Sequence, residues 1–143
     1  MTKVSFHFNV TDRLAYVCRL LRKATRLGAS VVVVAPTSTL ADLDRALWTF
    51  DALEFVPHLR LPSGTVPAKR LAETPVWLVE SVADAPRHDV LLNLDSKLPV
   101  GYETFARVIE VVTADANERA EARERWKHYA ARGDAIERHE VAE

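Results

Sequence analysis

The run Ser30–Ala35 constrains the fold more than any other segment, because it contains four consecutive valines and no charged side chain. A short, β-branched apolar run of this kind predicts a strand buried on both faces, as in the parallel sheet of an α/β protein. The segments on either side carry apolar residues every three or four positions, which is typical of helices packed on such a sheet. Further short apolar runs follow at residues 76–79, 90–94 and 108–112. The sequence therefore predicts alternating strands and helices.

The chain is expected to fold as one domain over residues 1–143. This length suits a single core, and no repeat or linker divides it. The predicted class is α/β, with a mostly parallel sheet, helices on its faces and a Rossmann-like topology. The last helix is expected to begin at its capping residue Asp115 and to end before Gly133. The polar residues 134–143 are expected to form a flexible, frayed tail.

Composition excludes several classes of protein. With 19 Lys plus Arg against 20 Asp plus Glu, the formal net charge is −1, so the domain has no overall basic field for gripping a duplex. A single cysteine, Cys18, excludes an internal disulfide framework and a clustered-cysteine zinc site. No apolar run approaches the roughly 20 residues of a membrane span, and no signal peptide is visible. We therefore expect a cytoplasmic protein without a metal site and without membrane contact.

An α/β sheet raises the question of a nucleotide site, which depends on the turns after the first two strands. The predicted turns at residues 9–13 and 35–39 contain no glycine, whereas a dinucleotide fingerprint needs glycines for close backbone approach to phosphate. The hydroxyls of Thr37–Thr39 near a helix start are able to bind an anion, although capping is their commoner use. No side chains assemble an obvious catalytic site. We expect no cofactor and no enzymatic activity, with a small nucleotide-binding α/β enzyme as the alternative.

The last helix carries the most distinctive surface pattern. Three cations spaced by four residues accompany an indole, and these four residues are Arg119, Arg123, Lys127 and Trp126. Such a row fits an acidic peptide with an apolar end, because arginine holds a terminal carboxylate through two hydrogen bonds. The alternative is a solvated helix with internal ion pairs, such as Glu121 with Arg125, in which Trp126 packs on the sheet.

A second candidate surface lies in the middle of the chain. Trp48, Phe55 and Pro57 are bulky apolar residues around a predicted helix end and a proline, and Phe55–Val56 is expected to form a short strand that Pro57 ends. Core packing accounts for such residues in most proteins. The alternative is an exposed apolar patch that contacts a partner protein.

Four segments, in this order and spacing, resemble the chi subunit family of the bacterial DNA polymerase III holoenzyme. They are Leu43–Trp48, Phe55–His58, Val90–Leu94 and Arg123–Tyr129. The resemblance spans nearly the whole chain, although residues 59–87 contribute no match and the connection before the last helix is shorter than in chi proteins.

This resemblance implies an α/β accessory protein of the replicative polymerase with no catalytic activity of its own. Members of the family link the clamp loader to the acidic C-terminal tail of the single-stranded-DNA-binding protein, which ends in an Ile-Pro-Phe-like segment with a free carboxylate. By residue, the resemblance implies that Arg123 holds this carboxylate. It makes Arg119 and Lys127 the basic neighbours and Trp126 the aromatic position, with Val112 as the candidate wall of the apolar pocket.

The same resemblance assigns the central surface to a partner protein. It implies that Trp48, Phe55 and Pro57 meet the psi subunit of the clamp loader or a competing helicase. A third hypothesis, direct binding of single-stranded DNA, needs a basic groove and a series of exposed aromatic residues. The near-neutral charge and the absence of such a series lead us to expect no direct nucleic-acid binding.

Overall fold

A seven-stranded sheet forms the centre of the computed structural model, which describes residues 2–51 and 53–141. The strands are β1 (Lys3–Val10), β2 (Val31–Val34), β3 (His58–Arg60), β4 (Val76–Val79), β5 (Val90–Asn93), β6 (Arg107–Thr113) and β7 (Ala135–Glu140). The α-helices of the described residues are α1 (Arg13–Arg26), α2 (Thr37–Thr49) and α3 (Ala116–Arg132). The strand order is β3-β4-β2-β5-β6-β1-β7, and every neighbouring pair is parallel. The predicted α/β class is confirmed.

Both faces of the sheet are covered, which is why β2 is apolar along its whole length. Val31 and Val33 pack in one core with α1 and α2. Val32 and Val34 point to the other core, which contains the inner face of α3. Because alternate side chains of a strand point to opposite faces, every side chain of a strand between two helical layers lies in a core, where apolar residues are favoured.

The predicted ends of α3 match the structure. The Asp115 carboxylate accepts a hydrogen bond of 3.0 Å from the backbone N–H of Glu118. Gly133 follows the last helical residue in the left-handed region, with φ of 83°, where a residue without Cβ is not strained. These two residues fix where the helix with the row of cations begins and ends.

The expected frayed tail is wrong for residues 135–140, which form the edge strand β7. This strand pairs in parallel with β1 along its full length, and the N–H of Val141 donates to the carbonyl of Phe8 at 3.0 Å. An edge strand forms by backbone hydrogen bonding to its one neighbouring strand and does not require an apolar pattern. Charged side chains are common in edge strands. Because the side chains of β7 are mostly charged or polar, the sequence of this segment has no strand pattern that would have predicted it. Residues 142 and 143 lie outside the described residues.

The short strand expected at Phe55–Val56 is also misplaced. Pairing begins one residue after Pro57, at His58, so the proline precedes β3 rather than ending a strand. Proline has no N–H to donate to a ladder, which makes the residue before an edge strand a suitable position for it.

Three further expectations concern single features. Cys18 is buried on α1, within the core on that side of the sheet. None of the helices formed by residues 2–51 and 53–141 combines the length and apolar content that crossing a bilayer requires. In the same residues, no group of three or more His, Cys, Asp or Glu side chains is placed to hold a metal ion.

Candidate functional site

A surface hollow of about 160 Å³ lies between α3 and the sheet edge formed by β6, β1 and β7. We term it the α3 hollow. The side chains that line it are Phe6, Phe8, Val112, Arg119, Ala122, Arg123, Trp126 and Arg138. The structure therefore brings together Val112, Arg119, Arg123 and Trp126, four of the five residues predicted to form one peptide site.

Lys127, the fifth predicted residue, lies outside the lining of the hollow. Each residue advances about 100° around a helix, so Trp126 lies within about 20° of Arg119, whereas Lys127 is rotated by about 80°. The Nζ atom of Lys127 lies 3.2 Å from the carboxylate of Glu124 on the solvent side of α3. Residues spaced by four are each rotated by about 40° around the helix axis relative to the one before. Over two such steps, this rotation separates Lys127 from Arg119.

The floor of the hollow is apolar. Phe6 and Val112 are buried, and the ring of Trp126 is half-buried with its centroid 4.9 Å from that of Phe6. Trp126 therefore packs on the sheet and also lines the hollow. Its interpretation as a packing residue and its interpretation as part of a peptide site are both compatible with this position. The arrangement provides an apolar surface that an aliphatic or aromatic side chain of a ligand can cover.

The rim of the hollow carries three guanidinium groups, and one of them was missed. Arg138 of β7 lies with its Cζ 5.1 Å from the ring centroid of Phe8, a cation–π geometry. Within the part of the chain that the structure describes, Arg119, Arg123 and Arg138 form no salt bridge with a carboxylate. The expectation of a frayed tail at residues 134–143 leaves no sequence pattern that places Arg138 beside the last helix.

Arg125 holds α3 against the sheet, which contradicts the alternative interpretation in which it forms a solvated ion pair with Glu121. Its Nε donates to the carboxylate of Glu110 on β6 at 3.1 Å, and its Nη1 donates to the carbonyl of Ser96 at 2.7 Å. The side chains of Arg125 and Glu110 are 8% and 0% exposed. The pair fixes the rotation of α3, which directs Arg123 to the opposite, solvent side.

The same Glu110 oxygen accepts two further hydrogen bonds. The hydroxyl of Tyr129 donates at 2.7 Å and the amide of Asn93 at 3.0 Å. Burial raises the pKa of the Glu110 carboxyl, while Arg125 and these donors oppose the increase. No spacing rule along the chain joins β5, β6 and α3, so sequence patterns could not identify this network.

A second surface lies at the C-terminal end of α2. We term it the α2 patch and define it by Trp48, Leu53, Phe55 and Pro57. Trp48 is 61%, Phe55 49% and Leu53 98% exposed, and Pro57 is also exposed. The rings of Trp48 and Phe55 lie 4.7 Å apart. The predicted residues are thus at the surface, and Leu53, two positions before Phe55 in the chain, is exposed as well.

His58 supports the α2 patch from below. Its ring lies 5.4 Å from that of Trp48 and 5.6 Å from that of Phe55. Its two nitrogens contact the carboxylate of Asp44 at 2.9 Å and the carbonyl of Val56 at 2.7 Å. These contacts order the segment before β3 and keep its apolar side chains at the surface.

The nucleotide alternative finds little chemical support at the carboxyl ends of the strands. A cavity there is lined by three carboxylates, Asp95, Glu118 and Glu121, and by two arginines, Arg13 and Arg125. Arg13 lies 3.6 Å from Glu118 and Arg125 is paired with Glu110, so both cations already face carboxylates, and the three acids repel phosphate groups. The hydroxyl of Thr37, at the start of α2, donates to the carboxylate of Glu80. This hydroxyl is therefore engaged with an acid.

Comparisons with known proteins agree with the sequence resemblance. The family model described as DNA polymerase III chi subunit, HolC, matches residues 1–137. The chain is 31% identical over 146 residues to the DNA polymerase III subunit chi of Pseudomonas aeruginosa, covering 99% of this chain and 98% of that protein. It is 30% identical over 120 residues to the subunit chi of Haemophilus influenzae, covering 81% and 78% respectively.

A solved structure gives a likeness of fold alone. It is the C-terminal domain of the DEAD-box protein Dbp5, with a TM-score of 0.59 and 13% sequence identity. The match covers 98% of this chain and 90% of that chain. At this identity the likeness describes the arrangement of strands and helices and carries no argument about activity.

Proposed function

The chain belongs to the DNA polymerase III chi subunit family of replication accessory proteins, and we propose that it is a non-catalytic adaptor. In this proposal the α3 hollow binds the acidic C-terminal tail of the single-stranded-DNA-binding protein. The α2 patch binds the psi subunit of the clamp loader. The chain thereby connects the coated single strand to the polymerase holoenzyme in the cytoplasm.

The observation that carries the tail proposal is the composition of the α3 hollow. Arg119, Arg123 and Arg138 surround an apolar floor without an acid among the lining residues. A peptide that ends in an apolar residue presents an apolar side chain and a carboxylate on the same residue. The hollow offers a surface for the first and guanidinium donors for the second.

Approximate energies indicate which part of the ligand contributes most. Burial of a Phe-sized side chain contributes about 2–3 kcal/mol, and a hydrogen bond to a charged group about 1.5–3 kcal/mol. Each exposed ion pair contributes only about 0.2–1 kcal/mol. After the entropic cost of association, these contributions support a Kd of about micromolar order. The terminal residue, with its ring and its carboxylate, is therefore the main determinant.

Titration with two labelled peptides tests this proposal. Both end in Ile-Pro-Phe after several aspartates, one with a free C-terminal carboxylate and the other with an amide. We expect the amide to bind about tenfold more weakly, because it loses a charge-assisted hydrogen bond. Added salt should weaken the carboxylate peptide more than the amide. Equal affinities at low salt would rule out recognition of a terminal carboxylate.

The α2 patch supports the second half of the proposal. It combines two large exposed rings in mutual contact with Leu53 and Pro57, two further exposed apolar residues of the segment before β3. Aromatic residues of this kind dominate the binding energy of protein–protein interfaces. The patch and the α3 hollow share no residue, so one chain is able to bind both partners together.

The substitution Trp48→Ala is expected to weaken binding of the psi subunit by about 1–2 kcal/mol, since it removes the largest exposed ring of the patch. Calorimetry with purified psi subunit measures the change. Val100→Ala is the matched control, because Val100 is also exposed (90%) but lies in the connection between β5 and β6. The tail peptide should bind both variants like the wild type. If Trp48→Ala weakens psi binding no more than Val100→Ala does, the assignment is contradicted.

A further inference from the structure

A cleft of about 440 Å³ lies on the face of the β1–β7 edge opposite the α3 hollow. We term it the α1 cleft. It is lined by Ser5, His7, Tyr16, Arg19, Leu20, Lys23, Arg107, Glu137, Arg138 and His139. Ser5 and His7 alternate along β1 with Phe6 and Phe8 of the α3 hollow, which places the two concavities on opposite faces of the same strand.

The α1 cleft is strongly cationic although the whole chain is nearly neutral. Four arginine or lysine side chains reach it from α1, β6 and β7, against the single carboxylate of Glu137. That carboxylate already lies 2.8 Å from Nζ of Lys3. Burial, together with the charges of His139, Arg107 and Lys23, lowers the pKa of His7 to about 4. The cleft therefore carries an excess of positive charge, with four cationic side chains against one carboxylate.

Arg138 connects the α1 cleft to the α3 hollow, because its side chain lines both. It stands on β7, the edge strand, so no further strand separates the two concavities. On the solvent side of α3, the carboxylates of Glu121 and Glu124 accompany Lys127, whose Nζ already lies 3.2 Å from the Glu124 carboxylate. An acidic chain that leaves the α3 hollow therefore meets mixed charges along this side of α3 and an excess of positive charge around the β7 edge.

We propose that the α1 cleft binds the acidic residues that precede the apolar end of the tail peptide, which passes around the β7 edge at Arg138. This inference rests on the proposed function of the α3 hollow. An extended peptide advances about 3.3 Å per residue, so residues a few positions before the apolar end reach the cleft. In this arrangement the α3 hollow recognises the apolar end and terminal carboxylate of the peptide, and the α1 cleft recognises its acidic residues.

The test compares two peptides on three protein variants. One peptide has four aspartates before Ile-Pro-Phe, and the other has serines in their place. The cleft variant is Arg19→Glu/Lys23→Glu, whose two residues are exposed on α1. The control variant is Lys69→Glu/Arg70→Glu, which makes the same change in net charge near the other edge of the sheet. The third variant is Arg123→Ala.

We expect the cleft variant to weaken the aspartate peptide about three- to tenfold, as the loss of two or more exposed ion pairs predicts. The serine peptide should bind this variant like the wild type, which also shows that the variant is folded. If the control variant weakens the aspartate peptide as much as the cleft variant does, the cleft assignment is overturned.

Arg123→Ala separates this inference from the proposed function. It should weaken both peptides, because both end in the α3 hollow. If neither peptide responds to Arg123→Ala, the tail proposal itself fails, whatever the cleft variant shows. If both respond and the cleft variant binds the aspartate peptide normally, only the α1 cleft is excluded.

A photo-crosslinking residue placed four positions before the Ile-Pro-Phe segment reports the path of the peptide. Crosslinks to α1 or β7 support the path around Arg138. Crosslinks confined to α3 would overturn it, since they would place the acidic segment along the helix.

Discussion

Replacing Arg125 with methionine is expected to lower the free energy of unfolding by about 3–5 kcal/mol, because it leaves the buried Glu110 carboxylate without its cation. Methionine retains most of the apolar volume of the side chain, so the loss reflects charge and hydrogen bonding. Denaturant unfolding near neutral pH measures the change. Arg123→Met is the matched control on the solvent side of the same helix, and we expect a change within about 0.5 kcal/mol there.

The double variant Glu110→Gln/Arg125→Met checks the cause. If the loss comes from an uncompensated buried charge, removal of the carboxylate should recover part of it. A double variant as unstable as the sum of both single variants would instead indicate that the residues act independently.

The loss caused by Arg125→Met is also expected to depend on pH. Burial already raises the pKa of Glu110, and removal of the guanidinium raises it further. A carboxyl whose folded pKa exceeds the unfolded value of about 4.3 keeps its proton preferentially in the folded state. Stability of the variant therefore falls as pH rises, and the deficit relative to the wild type should be larger near pH 8 than near about pH 5.

Arg123→Ala is expected to weaken binding of the carboxylate tail peptide by about 1.5–3 kcal/mol, or roughly 10- to 150-fold, because a charge-assisted hydrogen bond is lost. Fluorescence anisotropy with the labelled peptide measures the effect. The fold should be unchanged, since Arg123 is exposed and forms no salt bridge among the described residues. Binding as tight as in the wild type would exclude Arg123 as the carboxylate contact.

Two further variants refine this result. Arg123→Lys keeps the charge and loses the planar pair of donors, so affinity should recover only in part. Lys127→Ala should have an effect of a few-fold at most, because Lys127 lies outside the lining of the α3 hollow and beside Glu124. A larger loss for Lys127→Ala than for Arg123→Ala would contradict the geometry of the hollow.

Local sequence patterns predicted most of the fold. The four valines of β2 identified a strand covered on both faces, and Asp115 and Gly133 marked the limits of α3. These features depend on residues close together along the chain. The strand β7 does not, because it is defined by pairing with β1, more than a hundred residues away, and its own side chains are mostly charged.

The same distinction applies to the α3 hollow. Arg119, Arg123 and Trp126 lie on one helix, so helical geometry alone places them together, and the family resemblance supplied Val112. Phe6 and Arg138 come from strands at opposite ends of the chain, and only the order of the sheet brings them to α3. Arg125 was misplaced because nothing in a helical pattern distinguishes a buried, paired arginine from a solvated one.

The position of β1 has a consequence for biosynthesis. This first strand lies between β6 and β7, the last two strands of the chain. Contacts over such long separations form late and slow the folding of a domain. A nascent polypeptide emerging from the ribosome cannot complete the sheet until translation has passed residue 140. A nascent chain that ends before β7 therefore lacks the guanidinium of Arg138 beside Phe8, and only a chain translated beyond this strand presents the whole rim of the α3 hollow.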